Sequence, residues 1–305
     1  MTRTAISPRF AIKTLENTPY LAPVTFDSAN AALVGTRFAD LRHVSSTGST
    51  MVDVLGMLAE PTEDPSRAVV LVADHQTAGR GRLDRVWEAP EGASVLMTVG
   101  LPVLSVPVDR RTLLTSALAL AVVGAPSVEG MLSIKWPNDL VARGVGADGT
   151  DRKVAGILAE LHRLPGELAD HGGVPGRGDC VLLGIGINVN LPEIPDHLTD
   201  VAESLQRLVG HPVDREQLVV EVLTALEQVW LPVLEDTARP PDELRDSYRA
   251  ASATIGREVR VELPDAVLFG TATDVTANGE LVVVDDQRVE RTLSVGDVVH
   301  LRPAK

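Results

Sequence analysis

The sequence predicts an α+β fold, with helices and strands alternating over residues 41–252, a small five-stranded barrel over 253–305, and residues 1–40 as an arm. Three observations carry this expectation. Continuous aliphatic runs alternate with amphipathic helical periods from about Leu41 to Ala251. Beyond Ala253 short strand signals take over, with Asn278-Gly279 as a hairpin turn between two of them. Before Asp40 the periodicity is weak and two Pro-containing turns interrupt the chain, so Met1 to Asp40 reads as a loosely attached arm.

Each element follows in order. Ala68-Val69-Val70-Leu71-Val72-Ala73 and Ser94-Val95-Leu96-Met97-Thr98-Val99 are runs expected of strands covered on both faces. Asp109 is placed to cap a helix whose Leu113, Leu114, Ala117, Leu118 and Ala121 share one face. Val154 to Leu161 and Val181 to Val189 read as two further strands, joined by a long exposed connection through the Pro/Gly-rich segment Pro165 to Gly178. Asp214 with Gln217 forms a capping-box pattern, and the helix behind it should turn Leu218, Val219, Val222, Leu223, Leu226 and Val229 inward. In the tail, Val259-Arg260-Val261-Glu262-Leu263, Leu281-Val282-Val283-Val284 and Val298-Val299-His300-Leu301 read as strands.

Composition narrows the function classes. Over 305 residues, 44% are hydrophobic but only 3% aromatic, so the core must be aliphatic. No uncharged apolar run approaches the roughly 20 residues that span a bilayer, and Met1 to Phe10 lack a signal peptide's apolar stretch. A cytoplasmic location is expected. Cys180 is the sole cysteine, which excludes an internal disulfide and a cysteine-rich metal site; opening an apolar run, it reads as buried. With 28 basic against 42 acidic residues the formal charge is −14, a surface that repels nucleic acid. A phosphate-bearing ligand therefore requires a local cationic patch.

One such patch is present. Asp74-His75-Gln76-Thr77-Ala78-Gly79-Arg80-Gly81-Arg82-Leu83-Asp84-Arg85-Val86-Trp87 follows a strand, with two glycines that let backbone approach a ligand and three arginines within six positions. A basic surface loop is the alternative. In Ser133-Ile134-Lys135-Trp136-Pro137-Asn138-Asp139-Leu140, Pro137 places Asn138 and Asp139 at a turn just past a strand end. Lys135, Asn138 and Asp139 then offer a cation, an amide and a carboxylate to one site, or form an ordinary Asx turn. In Arg152-Lys153-Val154-Ala155-Gly156-Ile157-Leu158-Ala159-Glu160 the lysine enters a strand whose Gly156 leaves room for packing against the backbone. Gly184-Ile185-Gly186-Ile187-Asn188-Val189-Asn190 is a glycine-relieved strand with a polar end, and Thr47-Gly48-Ser49-Thr50 either contributes to a site or caps the helix through Leu58.

In this order, from about Val44 to the C-terminus, these motifs resemble those of the biotin–protein ligase family. The strongest matches are Gly79-Arg80-Gly81-Arg82, Lys135-Trp136-Pro137-Asn138-Asp139, Lys153-Val154-Ala155-Gly156-Ile157-Leu158 and Gly186-Ile187-Asn188-Val189-Asn190. The resemblance implies a mixed β-sheet flanked by helices, of the class II synthetase-like kind, closed by an SH3-like barrel. It implies ATP-dependent formation of biotinyl-5′-adenylate, with Mg2+ accompanying ATP, and transfer of biotin to a lysine of a biotin carboxyl carrier protein. No prosthetic group, membrane or nucleic acid is expected, and the assembly is expected to be a monomer or weak homodimer. By the same resemblance Ser49, Thr50 and Gln76 would hold the biotin ureido group, with the Arg80 backbone and Gly156 completing that pocket. Arg82 and Arg85 would face phosphate, Trp87 the adenine, Asn138 the nucleotide, and Lys153 the reacting carboxylate and phosphate. Asn188 would lie on the adenosine side; Lys135 and Asp139 are second choices, the latter through magnesium. Asp84 stands where many members have glycine and Met51 where they often have asparagine, which puts loop ordering and a polar role at 51 in question. The alternatives are a lipoate or octanoate ligase or transferase of the same fold, and a non-catalytic or DNA-binding biotin sensor. The shortness of the arm, too small for a winged-helix domain, weighs against the latter.

Overall fold

A computed structural model describes residues 26–60, 64–164, 178–240, 242–263 and 266–300. A short helix α1 (Asp27–Ala32) precedes strand β1 (Leu41–Thr47), helix α2 (Thr50–Ala59) and strand β2 (Val69–Gln76). Strands β1 and β2 pair in parallel, with α2 as the crossover. Then come β3 (Ser94–Pro102), α3 (Leu114–Val123), β4 (Ser133–Lys135), β5 (Asp139–Ala142), β6 (Arg152–Arg163) and β7 (Asp179–Asn188). Together these strands make a seven-stranded mixed sheet in the order β1-β2-β3-β7-β6-β5-β4, antiparallel beyond β2. Strand β3 is buried along its whole length, its apolar run interrupted only by Ser94 and Thr98.

One face of the sheet carries the main core and the other a small one beneath α2. On the main face lies α3, buried nearly all round. It packs beside α5 (Arg215–Ala225), which follows the short α4 (Leu205–Val209) and continues into α6 (Leu231–Glu235), and beside α7 (Asp242–Ala251). Beneath α2, Met51, Val54 and Leu58 close over Val69, Leu71, Leu182 and the buried Cys180. Gly100 is required there, since a Cβ would sit 2.5 Å from Val54. Strands β8 (Glu258–Glu262), β9 (Val267–Val275), β10 (Leu281–Asp285), β11 (Glu290–Leu293) and β12 (Asp297–His300) form a five-stranded antiparallel sheet in the order β11-β10-β9-β8-β12. The β9–β10 turn is the expected one, with Gly279 at φ +80°. The apolar core runs without a break from the large sheet into this small one.

Four expectations need correction or qualification. Residues 26–38 are no loose arm: Phe26, Leu33 and Phe38 are fully buried, and Glu216 accepts the Ala29 N–H at 2.7 Å. Asp109 caps nothing through its side chain, because it lies within a 3₁₀ turn (Val108–Leu113) that leads into α3. Asp214 does cap α5, accepting from Glu216 and Gln217 N–H, but the Gln217 side chain turns forward to Glu221 instead of back. Val229 points outward, 44% exposed, because a π turn at Leu226–Trp230 inserts into the helix and rotates the following face. The resulting helix, Arg215–Glu235, is long and apolar enough to cross a membrane by length and composition, and its inner face is buried in the core. The connection at 165–177 lies outside the described residues, while Arg163 opposite Asp179 fixes β6 and β7 as a hairpin.

Candidate active site

Above the β6–β7 region lies a cavity of about 840 Å³, a size that suits a small ligand with a nucleotide. Its walls bring together twelve of the thirteen residues singled out above, all but Lys135: Ser49, Thr50, Gln76, Arg80, Arg82, Arg85, Trp87, Asn138, Asp139, Lys153, Gly156 and Asn188. The lining combines a hydrogen-bonding cluster, an apolar glycine floor and a set of cations, with Lys153 lying against that floor.

The hydrogen-bonding cluster forms where α2 begins. Ser49 and Thr50 are nearly buried at the helix N-terminus, and the Ser49 side chain makes no cap bond. Gln76, at the end of β2, caps the helix instead: its Oε1 accepts the Thr50 backbone N–H at 2.8 Å and the Thr50 hydroxyl at 3.0 Å. A second hydroxyl, that of Thr98 on β3, lies 2.8 Å from Thr50 Oγ1. Two donors on Oε1 settle the amide's orientation, so Nε2 lies on the Gly79 side and is left to donate. The apolar part is a glycine floor. Gly156 of β6 stands opposite Gly186 of β7, and a Cβ on Gly186 would meet the Trp87 indole at 2.4 Å. Met51 lies over Gly184 in the same way, which gives position 51 a packing role and no polar one.

The arginine loop folds as a tight hairpin. Trp87 N–H donates to Gly79 O at 3.0 Å, Gly81 N–H donates to Arg85 O at 2.7 Å, and Leu83 at the tip adopts a left-handed φ of 56°. Gly79 is needed because a Cβ would sit 2.3 Å from the Trp87 carbonyl; the glycine serves the loop's own closure. Every cation here has an acceptor within the protein. Arg80 pairs with Glu160 at 3.1 Å, and Arg85 with Asp297 of the small sheet. Arg82 donates to Asn138 Oδ1 at 3.0 Å and to Gly296 O at 3.2 Å. Lys153 pairs with Asp139 at 2.6 Å and lies over the Trp87 ring at 5.5 Å. Solvent-exposed pairs of this kind are each worth at most about 1 kcal/mol, so an arriving phosphate can displace them. Asn138 is fixed from behind by its donation to Ile157 O at 2.7 Å, and Asn188 by its donation to Glu203 O at 3.1 Å.

Two placements differ from expectation, and one gains detail. Trp87 rests on the glycine floor, with a buried indole N–H that has no partner among the described residues. Lys135 does not line the cavity and instead acts on His300 across the junction with the small sheet. Asp139 is engaged by Lys153, and among the described residues no group of three or more His, Cys, Asp or Glu is placed to hold a metal. A single carboxylate still fits a magnesium ion that is held mostly by phosphates and water. The sequence reading missed Thr98, a hydroxyl inside an apolar strand run, and the Gly296-Asp297 turn that receives two loop arginines. Neither carries a local signal, since the first looks like an ordinary β-branched strand residue and the second like an ordinary turn.

The mixed sheet flanked by helices, with a glycine floor beside a hydroxyl/amide cluster and an arginine loop, falls in the class of biotin and lipoate protein ligases, as comparison with known proteins shows. Residues 48–175 match the Biotin/lipoate A/B protein ligase family and residues 254–301 match the Biotin protein ligase C terminal domain. Among curated relatives, the biotin–[acetyl-CoA-carboxylase] ligase of Mycobacterium tuberculosis is 36% identical, over 88% of this chain and 91% of its own length. The bifunctional ligase/repressor BirA of Bacillus subtilis is 31% identical over 74% of this chain and 64% of its own length. The solved biotin protein ligase of Aquifex aeolicus in complex with biotin and ATP superposes with a TM-score of 0.67 at 25% identity, covering 87% of this chain and all of that one. The chain belongs to the biotin protein ligase family.

Proposed function

We propose that this protein activates biotin with ATP and transfers it to a lysine of a biotin carboxyl carrier protein. The observation that carries this reading is the make-up of the cavity: the Ser49, Thr50 and Gln76 hydrogen-bonding cluster, a glycine floor, and the cations of Arg80, Arg82, Arg85 and Lys153 line one space. Gln76 presents N–H donors to a ureido oxygen, while Thr50 Oγ1, its own proton spent on Gln76, keeps a lone pair for a ureido N–H. Ser49, the Arg80 backbone and Gly156 complete that cluster, and the valeryl chain runs along the floor toward Lys153.

Activation joins two anions. At about 4 Å, two unit charges of like sign repel by roughly 4 kcal/mol at an effective dielectric near 20. Lys153, Arg82 and Arg85 offset this as the biotin carboxylate oxygen attacks the α-phosphorus and pyrophosphate departs. Asn138 and Asn188 hold the nucleotide, and Trp87 covers the adenylate. Magnesium would arrive with ATP and rest on Asp139, neutralising the leaving phosphates. The carrier lysine amine then attacks the acyl carbon, the C–O bond to phosphate breaks, and AMP leaves. The arginine loop over the cavity keeps water from the mixed anhydride until the lysine arrives.

On this reading residues 41–252 form the catalytic unit and 253–305 the closing domain. The acidic, −14 surface suits a cytoplasmic enzyme, monomeric or weakly dimeric, with no nucleic-acid partner. The decisive experiment is exchange of labelled pyrophosphate into ATP with biotin, lipoate or octanoate offered separately. Exchange with biotin alone is expected; exchange supported equally by lipoate or octanoate would overturn the substrate assignment.

A further inference from the structure

We infer that Thr98, a buried residue behind the cavity lining, is a positioning residue that sets the hydrogen-bond polarity of the ureido site through Thr50 and Gln76. This rests on the ureido assignment made above. Thr98 lies at the centre of β3, fully buried, in a run that is otherwise apolar from Val95 to Val99. Valine has the same shape and would bury no hydroxyl, so the hydroxyl needs a partner to be tolerated there. Its partner is Thr50 Oγ1, 2.8 Å away.

The protons on this relay can be assigned one by one. The Thr50 backbone N–H points at Gln76 at 2.8 Å, so the atom it meets must be an acceptor, and the amide oxygen occupies that place. The Thr50 hydroxyl lies 3.0 Å from the same oxygen, which carries no hydrogen, so Thr50 donates its proton there. With that proton spent, the Thr50–Thr98 contact has a single possible direction: Thr98 donates and Thr50 accepts. The order Thr98 to Thr50 to Gln76 therefore fixes the Thr50 rotamer and keeps Gln76 Nε2 on the Gly79 side. Without the Thr98 proton, the Thr50 hydroxyl keeps only its bond to Gln76, and one of the two contacts that aim its lone pair toward the ligand is gone. Neighbouring strands support the arrangement: Thr98 stands opposite Gly184, whose missing side chain gives room to Met51 and keeps α2 seated with Thr50 over β3.

The test uses the full chain and three kinetic parameters from biotin-dependent pyrophosphate exchange. Thr98→Val, which keeps the shape and deletes the hydroxyl, should raise KM for biotin about five- to tenfold, the fold-change of one lost hydrogen bond. Its KM for ATP and its kcat at saturating biotin should stay within about twofold, because the cations are untouched. Thr98→Ser should restore the biotin KM. Desthiobiotin, which keeps the ureido ring and lacks the thioether, should show the same factor between wild type and Thr98→Val. A biotin KM unchanged in Thr98→Val, an equal loss in the ATP parameters, or failure of serine to rescue would each overturn the proposal. Absence of biotin-dependent exchange in the wild-type protein would instead overturn the ureido assignment beneath it, before any variant is compared.

Discussion

At the residue scale, Lys153 shows how one side chain can serve both the packing of the site and its proposed chemistry. Its ammonium sits between the Asp139 carboxylate and the Trp87 ring. On the proposed reading it would offset the repulsion where carboxylate and phosphate meet. Replacing it with alanine removes that charge and leaves Asp139 uncompensated, so two effects act in the same direction. Lys153→Ala should lower biotin-dependent pyrophosphate exchange about 100- to 1000-fold, the cost typical of one missing electrostatic group at a transition state. Thermal unfolding should shift little, because the lost ion pair is partly exposed. A rate within tenfold of wild type would remove Lys153 from the chemistry.

At the scale of the element, the helix from Arg215 to Glu235 shows how a local irregularity overrules periodicity. A regular α-helix continuing from Leu218 and Val222 would bring Val229 to the inner face, whereas the π turn at Leu226–Trp230 carries it outward. The consequence is measurable by paired substitution. Val222→Asp would bury an unpaired carboxylate in the main core and should cost more than about 4 kcal/mol, enough to unfold many domains. Val229→Asp, on the solvent side of the same helix, should stay within about 0.5 kcal/mol by denaturant titration. Equal penalties at the two positions would contradict the rotated face.

At the scale of the whole molecule, the small sheet is joined to the large one by a polar seam. Trp136 N–H donates to Thr254 Oγ1 at 3.0 Å, Thr254 lies 3.1 Å from His300 Nε2, and Asp151 stands 3.4 Å from His300 Nδ1 and 3.0 Å from Arg257. Burial, and then the nearby Lys135 and Arg257 cations, push the His300 imidazole down to about 4 from its ordinary 6.5; Asp151 opposes them without prevailing. The unfolded chain takes up a proton on His300 near pH 6.5, whereas the folded protein resists until about pH 4. The stability this neutral histidine contributes is therefore complete above pH 6.5 and is lost progressively as pH falls toward 4. Denaturant midpoints should fall between pH 7 and pH 5, and His300→Gln should flatten part of that slope. An identical slope in the variant would exclude His300 as its source.

Much was legible in the sequence because it depends on residues close together in the chain. Aliphatic runs fixed the central strands, Asp214 announced a helix start, Asn278-Gly279 announced a turn, and the motifs named thirteen groups, twelve of which the fold gathers around one cavity. What the chain could not disclose are pairings between distant segments: Phe26 and Leu33 sealing the main core, Thr98 supporting Thr50, Asp297 receiving Arg85, and the π turn that rotates Val229. Local pattern reports which face of an element is apolar and where it starts or stops. Which hydroxyl finds which partner, and which carboxylate holds which guanidinium, is decided by the packing of whole elements, because a hydrogen bond needs its two groups within about 3 Å and sequence spacing does not set that distance.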